Sequence, residues 1–171
     1  MDGIPNYFGN PISEHASRHL EISLFGKVLV MSPYKQLNPL VTFHFEHALG
    51  KGTVLALSDN ERSKSPSHQV SADYHKKLSL FSEEATYGRL VSHINKGSVV
   101  KTTKLSESFT YTDYQDQYDK RLLPLCAILP DGKVEIFNSL TPIKPKANWK
   151  IVSLIINTNN AAEDVVEIGN K

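Results

Sequence analysis

The sequence predicts a mainly β domain, an antiparallel sandwich or barrel carrying a single amphipathic helix at about residues 82–96. Three observations point there. Short apolar segments alternate with polar residues at a period of two, the spacing that puts every second side chain on one face of a strand. Turn-forming residues punctuate these segments at hairpin intervals, as at Pro130, Asp131 and Gly132. One stretch, Tyr87, Leu90, Val91 and Ile94, instead carries its apolar residues at helical spacing. A chain of 171 residues is the size of one domain. One core at that length buries roughly two-thirds of the unfolded chain's surface.

In order, residues 1–16 are rich in Gly, Pro, Asn and Ser without periodicity and read as a flexible N-terminal arm. Residues 17–156 are the β-rich core domain, and residues 157–171 an acidic, Asn-rich tail. Within the core, residues 19–31 read as strand: Leu20, Ile22 and Leu24 alternate with polar residues, and Gly26 marks a bend. Residues 32–39 form a turn with Pro33 and Pro39. Residues 40–47 read as a second strand, with Val41, Phe43 and Phe45 on one side and Thr42, His44 and Glu46 on the other. Residues 53–57 make a third strand after Gly50 and Gly52. Residues 59–67 are a polar loop, and residues 69–80 are extended.

The helix has its own punctuation. Ser82 suits the N-cap, where a hydroxyl accepts from a free amide of the first turn. Glu83 and Glu84 fit the positive end of the helix dipole and Lys96 the negative end. Gly97 suits the left-handed position that ends a helix. Gly88 costs about 1 kcal/mol relative to Ala inside a helix, so close packing against a strand is expected there. Residues 98–105 and 108–112 read as strands, and residues 113–121 as a polar, acidic and aromatic loop. Residues 122–129 and 133–137 flank the Pro-Asp-Gly turn. Residues 141–148 are a Pro/Lys connector, and residues 149–156 form the last strand.

Nineteen basic residues against eighteen acidic ones leave a net charge of +1, so polyanion binding needs a local patch rather than the whole molecule's field. Candidate nucleic-acid contacts cluster around the helix. Lys76 and Lys77 precede it, Arg89 and Lys96 lie on it, and Lys101 and Lys104 lie on the strand that follows. The competing reading is a solvated surface of scattered lysines. Tyr111, Tyr114 and Tyr118 are interleaved with Asp113, Asp116 and Asp119, whose carboxylates repel phosphate. That run reads as a capped loop or partner surface, not a platform for stacked bases.

Cys126, between Leu125 and Ala127, reads as a buried, unreactive thiol. The seven histidines show no zinc-ligand pairing; His15 and His19 are four apart, and one cysteine is too few to complete a usual site. No nucleophile signature is present. Catalytic residues, a metal and a cofactor are therefore not expected, and an enzyme is the minority reading. No apolar run approaches the roughly 20 residues of a spanning helix, so no transmembrane segment is expected. The first residues lack the pattern of a secretory signal.

Several segments, in their order and spacing, resemble the thirty-kilodalton superfamily of plant-virus movement proteins. His47, Ala48, Leu49 and Gly50 are similar to the entry of that family's first core strand. Val70, Ser71, Ala72 and Asp73 are similar to the strand that ends in its characteristic Asp. Glu83, Glu84, Ala85, Thr86, Tyr87 and Gly88 resemble the start of its helix. The segment at residues 106–113 resembles the strand downstream, and Leu123, Pro124, Leu125 and Cys126 the start of a late strand. The match covers about residues 47–137.

The resemblance implies a jelly-roll-like sandwich and a non-enzymatic viral protein. Such a protein binds single-stranded nucleic acid or viral nucleocapsid, engages host plasmodesmal and peripheral-membrane factors, and promotes cell-to-cell transport. Localisation would be the host cytoplasm, the cell periphery and plasmodesmata. Gly50, Asp73 and Gly88 would be structural signature positions. The alternative is a viral matrix or coat-like subunit that assembles with copies of itself.

Overall fold

The computed structural model describes residues 6–34, 36–58 and 80–158. The loop expected at 59–67, the extended stretch expected at 69–80 up to Leu80 and the residues beyond Thr158 lie outside the described residues, and with them Asp73, Lys76 and Lys77. The described residues form six strands in two sheets together with four α-helices. This is a mixed α/β arrangement with an antiparallel sheet as its larger part.

The first unit is built on a parallel pair. Strands β1 (Val28–Val30) and β2 (Val54–Ala56) run side by side, Val28 opposite Val54 and Val30 opposite Ala56. Helix α2 (Leu37–Leu49) connects them, as a parallel crossover requires. The sequence reading of residues 40–47 as strand is therefore corrected. Leu37, Val41, Phe45 and Leu49 recur every fourth residue and pack against Val30, Val54 and Ala56. The apparent alternation misleads because Phe43 is exposed. Pro39 sits in the first turn, where its missing N–H costs no helical bond. Gly50 ends the helix at φ 95°, a conformation glycine adopts without strain.

The expected strand at 19–31 is corrected as well. Its end is borne out as β1, but helix α1 (Glu14–His19) occupies its start, and a 3-10 turn at Ile22–Leu24 follows. Ser13 caps α1 by accepting from the Ala16 N–H at 3.1 Å. Glu14 in the first turn, with Arg18 and His19 in the last, suits the helix dipole. Ordered structure thus begins inside the stretch expected to be an arm, and Ala16 is buried.

The second sheet has β3 (Val99–Lys104), β4 (Leu122–Ile128), β5 (Val134–Ile136) and β6 (Lys150–Ile155) in the order β3-β6-β4-β5, every pair antiparallel. These four strands, and β2, lie where the period-two pattern puts them. The register of β4 against β6 shifts between Pro124 and Cys126, where proline has no N–H to offer the ladder. Alternate residues of β6 feed two cores. Ile151 packs with Leu105, Tyr114, Ala127 and Phe137, whereas Leu154 packs with Leu55, Leu57, Leu80, Ala85 and Leu90.

Helix α3 (Tyr87–Asn95) supplies Leu90 to the second of these cores. It starts later than Ser82. The cap is Thr86, whose hydroxyl accepts from the Arg89 N–H at 3.2 Å. Tertiary anchoring explains the delay. The Ala85 carbonyl accepts from the Ser58 N–H just past β2, and the buried Ala85 side chain holds residues 82–86 in turns. Gly97 closes the helix end at φ 81°, as expected. Gly88 does not pack as expected: it is exposed, and a Cβ built there meets nothing within 4 Å.

Helix α4 (Tyr111–Tyr118) replaces both the strand expected at 108–112 and the loop after it. The cause is a capping box. The Thr110 hydroxyl accepts from the Asp113 N–H at 3.3 Å, and the Asp113 carboxylate accepts from the Thr110 N–H at 2.7 Å. Tyr114 and Tyr118 then fall three and seven residues after Tyr111, on the helix face that meets the sheet. Around Leu80 the two sheets are stitched together: its N–H donates to the Ala56 carbonyl at 3.0 Å, and it bridges to Asn138 beyond β5.

Candidate partner-binding edge

Strand β6, last in the chain, inserts between β3 and β4. That leaves β3 at the edge of the four-stranded sheet, with β6 as its one strand neighbour among the described residues. Leu105 fixes which backbone groups point outward. Its N–H donates to the Trp149 carbonyl at 2.8 Å and its carbonyl accepts from the Asn148 N–H at 3.0 Å, so Leu105 faces β6. Both groups of a residue in an antiparallel ladder point the same way, and the direction alternates along the strand. Val99, Lys101 and Thr103 therefore face β6, while Val100, Thr102 and Lys104 present their N–H and C=O groups outward. The edge is also apolar at its start: Val99 is 59% exposed and Val100 63%.

The candidate basic residues divide around this edge. Lys101 and Lys104 lie on β3, and Lys104 stands opposite Lys150 of β6. Lys101 donates to the Tyr118 hydroxyl at 2.8 Å, its ammonium 5.5 Å from the centre of that ring. This hydrogen bond, with the adjacent phenol charge, holds the Lys101 pKa above its ordinary value. Arg89 lies on α3 and pairs with Glu84 at 2.8 Å, both side chains well exposed. Lys96 sits at the end of α3, its carbonyl accepting from the Asn157 side chain at 3.0 Å. The structure thus sets Lys104 beside Lys150 on one face of the sheet, turns Lys101 to the face that carries Tyr118, and places Arg89 on a separate element.

Under α4 the chemistry is drier. Tyr111 stacks on Phe137 at 5.9 Å between ring centres, and burial pushes its pKa up to about 12. The hydroxyls of Tyr114, Thr103 and Ser153 are buried with no hydrogen-bond partner. Burial also pushes the Cys126 thiol up, away from the thiolate that reacts. His15 and His19 stack at 4.0 Å between ring centres on α1.

Sequence reasoning missed Lys150, the role of Tyr118 and the edge position of β3. The exposed Val99–Val100 pair at the start of a strand otherwise made of Lys and Thr was the available signal. No helix among the described residues is long and apolar enough to cross a membrane. No protein-family model matches the chain, and no curated protein is similar enough to it to count as a relative.

Proposed function

We propose that the chain is a non-enzymatic binding module that takes a protein strand along the outer edge of β3. The observation that carries this reading is the row of outward N–H and C=O groups at Val100, Thr102 and Lys104, beside the exposed side chains of Val99 and Val100. An added strand satisfies such groups and covers such side chains, the common basis of strand-addition recognition. The test is a titration with a synthetic peptide carrying the sequence of residues 98–105, followed by amide NMR. Shifts confined to β3, abolished by Thr102→Pro, are expected. Proline is tolerated where the lost N–H faces solvent, so this variant removes a binding group while keeping the sheet. Shifts centred on another element, or none at all, would overturn the reading.

A second reading is favoured by one specific observation: Lys104 and Lys150 face each other across the ladder. That local basic pair supports binding of single-stranded nucleic acid or nucleoprotein, the movement-protein role in which the chain acts at plasmodesmata. The jelly-roll-like sandwich that the resemblance implies belongs to this second reading. Affinity for a single-stranded RNA that falls steeply with salt, and a shallower salt slope in Lys104→Ala, are its expected signatures. Absence of binding at low salt would sink it.

A further inference from the structure

We propose that the strand taken by β3 is the β3 of a second copy of this chain, paired antiparallel about a twofold axis through Thr102. The inference rests on the reading of β3 as a binding edge and names its partner.

The outward groups limit the register to those that oppose one outward residue to another, and the side chains choose among these. The outward groups belong to Val100, Thr102 and Lys104, a set symmetric about Thr102. Centring the pair there places Thr102 opposite Thr102 of the second copy, and Val100 opposite Lys104. Every outward N–H and C=O of these three residues then meets its complement, because directly opposed residues with facing backbone groups exchange both hydrogen bonds. Centring the axis on Lys101 instead also lets outward groups meet, Val100 opposite Thr102 of the second copy, but it sets two ammonium groups directly against each other at the axis.

The side chains agree with that register. Lys101 comes opposite Thr103, and the lysine is already drawn toward Tyr118 by its 2.8 Å hydrogen bond. Lys104 comes opposite Val100, whose short side chain leaves a long lysine stem free to carry its charge to water. No lysine opposes a lysine, and a Thr–Thr pair sits at the axis, a favourable cross-strand combination. The exposed Val100 of each copy gains a neighbour. Lysines on an edge strand ordinarily discourage pairing; here the register through Thr102 keeps any lysine from directly facing another while using the whole strand.

The test combines oligomeric state with cysteine cross-linking. In a Cys126→Ser background, Thr102→Cys is expected to form an intermolecular disulfide under mild oxidation. The hydrogen-bonded pair at the axis holds its Cα atoms about 5.5 Å apart, within disulfide range. Val100→Cys, far from its own symmetry mate, is expected not to cross-link. Analytical ultracentrifugation of the full chain is expected to show a concentration-dependent dimer. Thr102→Pro is expected to weaken it at least about tenfold, from the loss of the two hydrogen bonds at the axis. A dimer that survives Thr102→Pro, or that cross-links through Val100→Cys, overturns the inference in favour of another interface. A monomer at millimolar concentration also overturns it. In that case the peptide of residues 98–105 separates the two claims: peptide shifts on β3 keep the binding-edge reading, and their absence removes both.

Discussion

Lys101 and Tyr118 tie the edge strand to helix α4, the ammonium donating to the phenol oxygen at 2.8 Å. The contact raises the Lys101 pKa, first through the hydrogen bond and then through the phenol's charge. A raised lysine pKa adds stability that is fully present below the unfolded value and is lost as pH rises through the folded one. Tyr118→Phe is expected to return Lys101 toward the ordinary lysine value, read from the titration of its side-chain carbon resonance. The stability gap between the two proteins is expected to close at high pH. An unchanged Lys101 titration in the variant would mean that the hydrogen bond does not form in solution.

Tyr111 titrates late for a different reason. Burial against Phe137 disfavours its phenolate and pushes the pKa up to about 12, with Tyr114 a smaller cause. Below about pH 10, the usual tyrosine value, neither the folded nor the unfolded chain loses this proton. Between there and the folded value the unfolded chain ionises while the native one does not, so stability falls across that window. Tyr111→Phe is expected to flatten the alkaline arm of a stability-against-pH profile. Absorbance titration of the native protein should lose a late-titrating phenol in the same variant.

The capping box gives an acid-side counterpart. Thr110 bonds hold the Asp113 carboxyl below the usual carboxylate range, the side-chain hydroxyl contributing most and the backbone N–H next. A depressed carboxyl contributes stability present above its unfolded value, about 3.9, and lost as pH falls through the folded one. Thr110→Ala is expected to cost about 1 kcal/mol near neutral pH by chemical denaturation, and Thr110→Ser far less. Asp113→Asn should match the parent protein once the solution is acid enough to protonate Asp113.

What the sequence revealed and what it hid follow from how local each cause is. The hairpin of β4 and β5 was legible because Pro130, Asp131 and Gly132 set the turn within a few residues. Helix α2 was not, because Val41, Phe43 and Phe45 imitate strand alternation; the stripe through Leu37 and Leu49 was the longer-range clue. The α3 start was misplaced for a tertiary reason, since the Ala85 carbonyl is taken by the Ser58 N–H just past β2. In α4, Thr110 and Asp113 formed a readable cap, but the strand-like residues before it outweighed the signal. The edge status of β3 had no local signature. It depends on β6, some fifty residues later, taking the position between β3 and β4.

Gly88 offers a gain rather than a loss. It lies inside α3 with open space where a side chain would be, and its backbone is not at positive φ. Glycine in a helix interior costs conformational entropy that alanine does not. Gly88→Ala is therefore expected to raise stability by up to about 1 kcal/mol in denaturant titrations. A loss of stability would reveal a close neighbour at this face in solution.

Leu80 is where the parallel unit and the antiparallel sheet become one structure. Its side chain is fully buried among Leu55, Leu57, Leu90 and Leu154, drawn from β2 and the segment after it, α3 and β6. Its N–H reaches back to Ala56, while the next residue, Phe81, donates to the Phe137 carbonyl at 2.8 Å. Leu80→Ala leaves both hydrogen bonds available but opens a cavity between the two units, at an expected cost of about 2–5 kcal/mol. The loss should be uneven. Strand β2 meets the larger sheet through Leu55, Leu57 and Leu80 in one cluster that the cavity would loosen, whereas β4 and β6 remain paired to each other. Hydrogen exchange is therefore expected to speed at Leu55 and Leu57 more than at Ala127 and Ile151. Leu80→Met, which keeps the volume, should restore most of the protection. Equal acceleration across both sheets would show that the two units unfold as a single cooperative block, with Leu80 one core residue among many.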